Sequence, residues 1–446
     1  MTQVSDRLLS VEEARAGVLG AIRGPLPSET VATADALGRV LAEPVVAAVS
    51  LPPWDNSAMD GYAIRSADTH GATDEGPVRL RVIGDVPAGE APTVTLEPGT
   101  AIRIATGAPV PAGADAVVPV EDTTPLDGQG RPGPRGRDAT GPLPAGCLVH
   151  GPVEQGLSIR RAGSDLVAGT TLLESGLRLH PSAIALVAGA GVATVSVHRA
   201  PRVAVLATGD EVRAAGEPLG PAGIPDANGP GLRALLLAAG CEPVDLGIAR
   251  DDLEDVIGRL RSALDEGVDA IVISGGVSVG PFDVVKSAIE TVGRVDLWRV
   301  AVQPGKPFAF GTAARPGSGE TPDVLVFGLP GNPVSSFISF ELFVRPALRR
   351  LGGRRDLLRP ADRAVLLEPV AKSHGRRAFI RVVSERDDAG TPNRDREGRV
   401  KVRLAGGQGS HVISALAVAD ALAIIPEADD ELPAGATVAL WWLDQT

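Results

Sequence analysis

Apolar positions along this chain follow three different rhythms, and each marks a different kind of unit. Val11, Ala14, Val18, Leu19 and Ile22 recur at helical spacing behind Ser10 and Glu13, a capping-box pair, and stop at Gly24-Pro25, which predicts one amphipathic helix. ALGRVLAEPVVA, within residues 26–50, reads as a short helix running into an extended segment with Pro44 at its edge. LPPWDNSAMDGYAIR then breaks all periodicity, and its prolines with Asp55-Asn56 and Asp60-Gly61 predict an irregular surface loop suited to binding chemistry. From about 66 to 154, VRLRVIG, TAIRIATG, DAVVPVE and CLVHGPV alternate with Pro/Gly turns, the pattern of a small all-β unit. Inside it, residues 127–142 have little apolar content and predict a mobile loop.

From 181 onward strands and helices alternate. PRVAVLATGDE, EPVDLGIA and VDAIVI read as strands, NGPGLRALLLAAG and DDLEDVIGRLRSALDEG as helices. Repeated βαβ units predict a doubly wound, mainly parallel sheet with helices on both faces. VLVFGLPGNPVSSFISFELFVRPALRRLGG adds a strand, a turn and a long helix, and after 361 the runs become strands again. The expected organisation is multidomain α/β. A helix at 5–24 packs on the α/β unit, residues 25–50 and 155–180 form a small linking and dimerisation unit, and 51–154 form a β-rich insert. Residues 181–354 form the α/β unit and 355–446 a C-terminal β unit.

Ligands of such sheets bind at the carboxyl ends of the strands. Thr208, Asp210, Glu211, Asp226, Asn228, Asp251, Asp252 and the stretch from Gly275 to Asp283 all follow strands in this reading, so polar residues from separate loops converge on one edge. SGGVSVGPFDVVK, at 274–286, joins a buried strand to a helix, and Gly275, Gly276 and Gly280 let the backbone approach a phosphate beside unpaired helix N–H groups. Asp283 either caps that helix or holds a divalent cation against the phosphates. In LPGNP, Asn332 suits an N-cap and Pro333 the first helical position. Asp165, in a Gly163-Ser164-Asp165 turn, reads first as a turn former.

Composition narrows the function classes. The chain has 446 residues and a net charge of −12, with one tyrosine and eight phenylalanines, which leaves neither the basic face nor the stacking platform of a nucleic-acid binder. Only four of its 43 basic residues are lysines, and two of these, Lys286 and Lys306, fall in SGGVSVGPFDVVK and QPGKPFAFG. The abundance of arginine with alanine, glycine and proline reads as codon bias. Cys147 and Cys241 belong to no CxxC pair, consistent with reduced thiols and a cytoplasmic location. No apolar run approaches the ~20 residues of a membrane span.

Taken together, DNSAMDGYA, TGAPVPAGADAVV, ATGDE, GIARDD, SGGVSVG, PGKPFAFG and LPGNPVSS, in that order, closely resemble the MoeA family of molybdopterin molybdenumtransferases, whose eukaryotic relative is the E domain of gephyrin. The resemblance implies an elongated homodimer of four-domain subunits, its α/β domain similar to molybdopterin adenylyltransferases. It also implies insertion of molybdate into adenylylated molybdopterin with release of AMP, Mg²⁺ as the cation, and handover contacts with other molybdenum cofactor proteins. The family's functional residues match Asp60, Asp165, Glu211, Asp251, Asp283 and Lys306, with Glu211, Asp251 and Asp283 as metal ligands. Substrate contacts fall to Thr106, Thr208, Gly275, Gly276, Ser278, Gly280, Lys286, Pro304, Gly305, Pro330, Gly331, Asn332 and Ser410. Gln303 stands where the family often has lysine, Ser164 where it often has glutamate, and residues 127–142 resemble an insertion. Two other classes compete. An adenylyltransferase-like nucleotide enzyme would carry a GGTG-type loop where this chain has SGGVSVG, and a scaffold like the gephyrin E domain would not need the retained acids and lysines.

Overall fold

The computed structural model describes residues 8–136, 141–275, 284–315 and 324–443. Helix α1 (Val11–Gly20) opens with the reciprocal cap its sequence predicts: Ser10 Oγ accepts from the Glu13 amide at 3.1 Å and the Glu13 carboxylate from the Ser10 amide at 2.8 Å. Its apolar stripe, Val11, Ala14 and Val18, is buried in one cluster with Val203, Leu232, Phe308 and Phe343. The chain's first helix, with Ile22 just after it, thus completes a core whose other members lie nearly two hundred residues or more further on.

The short helix expected within ALGRVLAEPVVA is absent. A three-residue 3₁₀ turn, Thr33–Asp35, is followed by isolated bridges from Val40 to Arg178 and from Leu41 to Val197. Leu41 and Val45 go into a small core with Leu179, Ala183, Val187 and Val197, and that burial holds the segment extended. The helix Pro181–Gly189 and the strand Thr194–His198 belong to the same small core, the latter pairing antiparallel with Ser28–Ala32. The parallel sheet therefore begins only at Arg202, later than the boundary at 181 that the sequence suggests.

The insert holds a six-stranded sheet. Gly61–Ile64, within the stretch read as an irregular loop, is a strand flanked by Thr100–Ile104 and Ala116–Pro119, with all four residues buried. Burial on both faces erases the alternation by which a strand is recognised, and Gly61 is held so close to Val118 that a Cβ there would lie 2.0 Å from its carbonyl oxygen.

The α/β unit runs β1 (Arg202–Thr208), α2 (Asn228–Ala238), β2 (Glu242–Ala249), α3 (Leu253–Asp265), β3 (Ala270–Ser274), α4 (Val284–Val292), β4 (Gly293–Arg299), β5 (Pro307–Ala313), β6 (Val324–Leu329) and α5 (Pro333–Ser339). Its six strands lie in the order β2-β1-β3-β6-β5-β4, the first four parallel and the last two antiparallel. Alternate residues of β1 enter opposite cores: Val203 and Val205 pack with α1 and α2, Ala204 and Leu206 with α3 and α4. That alternation makes the sheet doubly wound.

In the C-terminal unit, Arg377–Ser384, Val400–Leu404, Ala361–Leu366, Thr437–Trp442 and Ala421–Ile425 pair in turn, and the last strand pairs back onto the first, closing a five-stranded barrel. Phe379 and Leu422 on the barrel join the α/β core, so the two units share buried surface. Val302–Gln303, just before the PGK turn, adds a short parallel strand to the barrel alongside Arg377–Ala378.

Candidate functional site

The four parallel strands end together, and described residues that follow them line a cleft of about 870 Å³. Thr208 from the end of β1, Ser274 and Gly275 from β3, Gly331 and Asn332 after β6, and the first residues of α2 line its floor. Glu211 and Asp251 stand at its side. This volume is within the range of sites for cofactor-sized ligands. A second cleft, of about 940 Å³, adjoins it across Gly209, Val212 and Asp226; Arg213, Arg233 and Arg250 line it beside Asp210, Glu217 and Asp245, and Arg233 is paired with Asp245.

Close backbone approach fixes the floor. Gly275 has φ +108°, and a Cβ on it would lie 2.5 Å from both the carbonyl and the hydroxyl oxygen of Thr208. Only glycine fits there. The Asn228 amide donates to Ser274 Oγ and to the Gly331 carbonyl, each at 2.7 Å, which ties three loops from distant parts of the chain into one surface. Asp226 accepts from the Gly229 amide at 2.9 Å at the start of α2, and Asp252 caps α3 through the Asp255 amide at 2.9 Å. With these capping positions taken, the neighbouring carboxylates of Glu211 and Asp251 are engaged by no described residue, and both face the cleft.

Thr208 Oγ1 is buried and also has no hydrogen-bond partner. A buried hydroxyl without a partner costs on the order of 1–3 kcal/mol, so its place on the cleft floor suits a bound ligand atom. Thr208, Glu211 and Asp251 offer oxygen donors, the His411 imidazole is also on the lining, and Cys147 and Cys241 are buried elsewhere. Among the described residues no three His, Cys, Asp or Glu side chains gather as a metal cage. Few protein ligands, mostly carboxylate and hydroxyl oxygens with no thiolate, fit Mg²⁺, which keeps several of its waters, and do not fit a thiolate-bound zinc.

The other residues singled out by sequence fall in separate places. Gly276, Ser278, Gly280 and Asp283 lie outside the described residues. Lys286, on α4, pairs with Glu290 at 3.8 Å and is not among the residues lining the cleft. The turn Pro304–Gly305–Lys306 abuts the first turns of α5, where a Cβ on Gly305 would lie 3.0 Å from Ser339 Oγ. Lys306 is half-buried, has no carboxylate partner among the described residues, and is held below the ordinary lysine range by desolvation and by Arg299 and Arg376. Pro330 offers its carbonyl to Ser274 Oγ at 3.5 Å, and the Ser410 carbonyl accepts from the Val334 amide at 3.2 Å on α5.

Asp60 and Thr106 meet in the insert: one Asp60 oxygen accepts from the Thr106 amide at 2.7 Å and from its hydroxyl at 2.9 Å. Asp165 is exposed on its turn, which is tied to the 51–57 loop by Asp55, the acceptor of the Ala162 amide at 2.8 Å and of Arg161 at 2.5 Å. These bonds, the backbone amide first, hold the Asp55 carboxyl below its usual range. None of Asp60, Thr106 and Asp165 lines the cleft of its own chain.

Sequence reasoning passed over two residues. His411 lines the cleft from the barrel side, next to Ser410, which was singled out. Arg381 is fully buried, and its guanidinium donates to the carbonyls of Gly407 at 3.0 Å and Gly409 at 3.1 Å while its backbone pairs with the Gln408 side chain. It holds the loop that presents Ser410 and His411. An arginine inside the apolar run AFIRVV was the available signal. The structure also explains one departure: Gln303 Oε1 accepts from the Ser373 amide at 2.9 Å, a bond that lysine, with no acceptor, cannot make.

Three family models match in sequence order: the MoeA N-terminal region (domain I and II) over residues 9–191, a probable molybdopterin binding domain over 204–350, and the MoeA C-terminal region (domain IV) over 363–443. The molybdopterin molybdenumtransferase 2 of Mycobacterium tuberculosis is 40% identical over 438 residues, covering 97% of this chain and 99% of the relative. The molybdopterin molybdenumtransferase of Haemophilus influenzae is 32% identical, covering 97% and 98%. A crystal structure of the molybdopterin biosynthesis MoeA protein from Pyrococcus horikoshii superposes with a TM-score of 0.77 at 32% identity, over 98% of this chain and 99% of that one. With full-length matches in sequence and in fold, the chain belongs to the MoeA family.

Proposed function

We propose that this protein is a molybdopterin molybdenumtransferase that inserts molybdate into adenylylated molybdopterin and releases AMP. One observation carries the reading: a two-lobed cleft at the strand ends, with a buried hydroxyl and two carboxylates on one lobe that no described residue engages. A substrate with a bulky pterin end and a nucleotide end, joined through phosphates, matches two adjoining lobes in size. Thr208, Gly275 and Gly331 present polar backbone and hydroxyl groups at close range, and Asn228 keeps their loops in register. The start of α5, behind Asn332 and Pro333 on the cleft lining, supplies positive character toward the oxyanions, while Lys306 lines neither lobe. Glu211 and Asp251, with Asp283, would hold Mg²⁺, which neutralises phosphate charge when bound.

Asp60, Thr106 and Asp165 enter this reading through a dimer. The linking unit exposes Leu37, Val46, Val49, Val167 and Leu177, more apolar surface than so small a unit normally leaves in water. Light scattering should give a dimer at micromolar concentration, and a stable monomer there removes this part of the reading. Mixing Asp60→Ala and Asp251→Ala subunits should restore one intact site per heterodimer, about a quarter of wild-type activity after random reassortment; no recovery places the whole site in one chain.

The direct test follows AMP release from adenylylated molybdopterin with Mg²⁺ and either molybdate or tungstate. Release that depends on the oxyanion, and falls ~100-fold or more in Asp283→Asn with the fold intact, is the expected result. Absence of oxyanion-dependent release overturns the proposal.

A further inference from the structure

The amino edge of the same sheet carries a second cavity, of about 40 Å³, where the linking unit meets the α/β unit. By the measure that one water needs at least ~10–15 Å³, it admits about three waters or one small ion. Its lining includes five arginines, Arg39, Arg178, Arg199, Arg349 and Arg354, together with His198, and not one carboxylate. Arg39 and Arg178 come from the linking unit, and the chain between Ala238 and Gly240 and between Leu348 and Arg354 comes from the ends of α2 and of the long helix that begins as α5.

The charges around it do not balance. Glu29 pairs with Arg39, Asp269 with Arg199, and Asp356 with Arg354 at 2.5 Å and with Arg349 at 3.8 Å. Asp269 is also shared with Arg315 at 2.6 Å. The two helix ends add about half a negative charge each. With Glu242, which also acts on Arg199, six guanidiniums against four carboxylates and two helix ends leave a surplus of about one positive charge. Arg178 has no side-chain partner among the described residues. Arg349 is 3% exposed; its Nη1 donates to the carbonyls of Asp356 and Leu358, while its Nε is buried with no partner among the described residues. Burial, then the like charges of Arg345 and Arg354, push the Arg349 guanidinium down to about 9. An unpartnered donor on a buried cation, at the wall of a cavity without carboxylates, is the arrangement an anion relieves.

We infer that this cavity binds a small tetrahedral oxyanion between Arg178 of the linking unit and Arg349 of the α/β unit, fastening the two units together. The site is separate from the strand-end cleft. β1 runs from Arg202, beside the cavity wall at Pro201, to Thr208 on the cleft floor, and its seven residues span roughly 20 Å at ~3.3 Å per residue. Phosphate, sulfate and molybdate share the required charge and shape, so the ion is either a common cellular oxyanion or the metal oxyanion itself.

Calorimetric titration of the full-length protein in a chloride-free buffer distinguishes these. Phosphate and sulfate should bind saturably at millimolar concentration or below and raise the melting temperature by a few degrees. Arg178→Gln, which changes an exposed side chain and leaves the core intact, should weaken that binding at least tenfold, while Asp251→Ala should leave it unchanged. Molybdate binding lost in Arg178→Gln and kept in Asp251→Ala identifies molybdate as an occupant. The inference is overturned by an absence of saturable phosphate and sulfate binding below about 10 mM. It is equally overturned by binding that survives in Arg178→Gln or disappears in Asp251→Ala. Neither result bears on AMP release, so the proposed activity stands or falls separately.

Discussion

At the carboxyl edge of the parallel sheet polar groups are left open, whereas at the amino edge most are closed on one another. Thr208, Glu211 and Asp251 face the cleft with bonding capacity unused. One sheet length away, Asp269 is 1% exposed and fully occupied: both oxygens take the Arg199 guanidinium at 2.8 Å, one takes the Arg202 amide at 2.8 Å, and Arg315 joins at 2.6 Å. Both edges consist of acids at strand ends and look alike in sequence. Saturation separates them, because a carboxylate whose acceptor sites are filled by protein stabilises the fold, and one left open is available to a ligand.

The difference is sharpest if the two edges can be broken independently. Asp269→Ala strands two guanidiniums and an amide, and should cost about 3 kcal/mol, below the upper end for fully buried pairs because both arginines keep some solvent contact. Thermal denaturation should show a fall of roughly 6 °C or more, with AMP release per folded molecule unchanged. Next in size, Asp251→Asn should lower AMP release ~100-fold, equivalent to ~2.7 kcal/mol, with a melting temperature near that of the parent. If the stability loss follows Asp251 and the activity loss follows Asp269, the comparison is wrong.

Asn228→Ala should fall between the edges in character and below both in size. It removes the strut between Ser274 and Gly331, so a loss of about 1–2 kcal/mol in stability and a roughly tenfold loss of activity should appear together. The smallest effect is expected at Cys241, low in the core near the amino edge, where burial pushes the thiol up from 9.0 to about 12. The native state then favours the neutral thiol. Its contribution is fully present below the unfolded thiol's ordinary range and is lost as pH rises from about 9 toward 12. Alkylation at pH 8 should be negligible in the folded protein and rapid in urea.

The sequence made the α/β unit plain because its strands are apolar on both faces and its helices keep their period, so VDAIVI and NGPGLRALLLAAG fall where expected. It hid Gly61–Ile64, because DNSAMDGYAIR puts turn residues directly against a strand with no exposed face. Glu211, Asp251, Thr208 and Gly275 were legible as residues that follow strands. His411 was not, because it reaches the cleft from another unit, and contact between units leaves no local period. The arginines of LRRLGGRRDLLRP carry no period of their own in a chain rich in arginine, yet Arg349 and Arg359 are buried, and Arg359 holds Glu341 through two bonds at 2.8 and 2.9 Å. Codon bias explains how readily arginine occurs; burial decides where it must be paired.

Val302 and Gln303 belong by chain position to the α/β unit and by hydrogen bonding to the barrel. Pro304, Gly305 and Lys306 follow at once, with no slack between the shared strand and the turn. The barrel is therefore not a pendant tethered by a flexible leash: this two-residue strand, the shared core and the Val334–Ser410 bond all fix it to the α/β unit. The turn that carries Lys306 is thus anchored at its start to the edge of the barrel, one residue pair from Arg377.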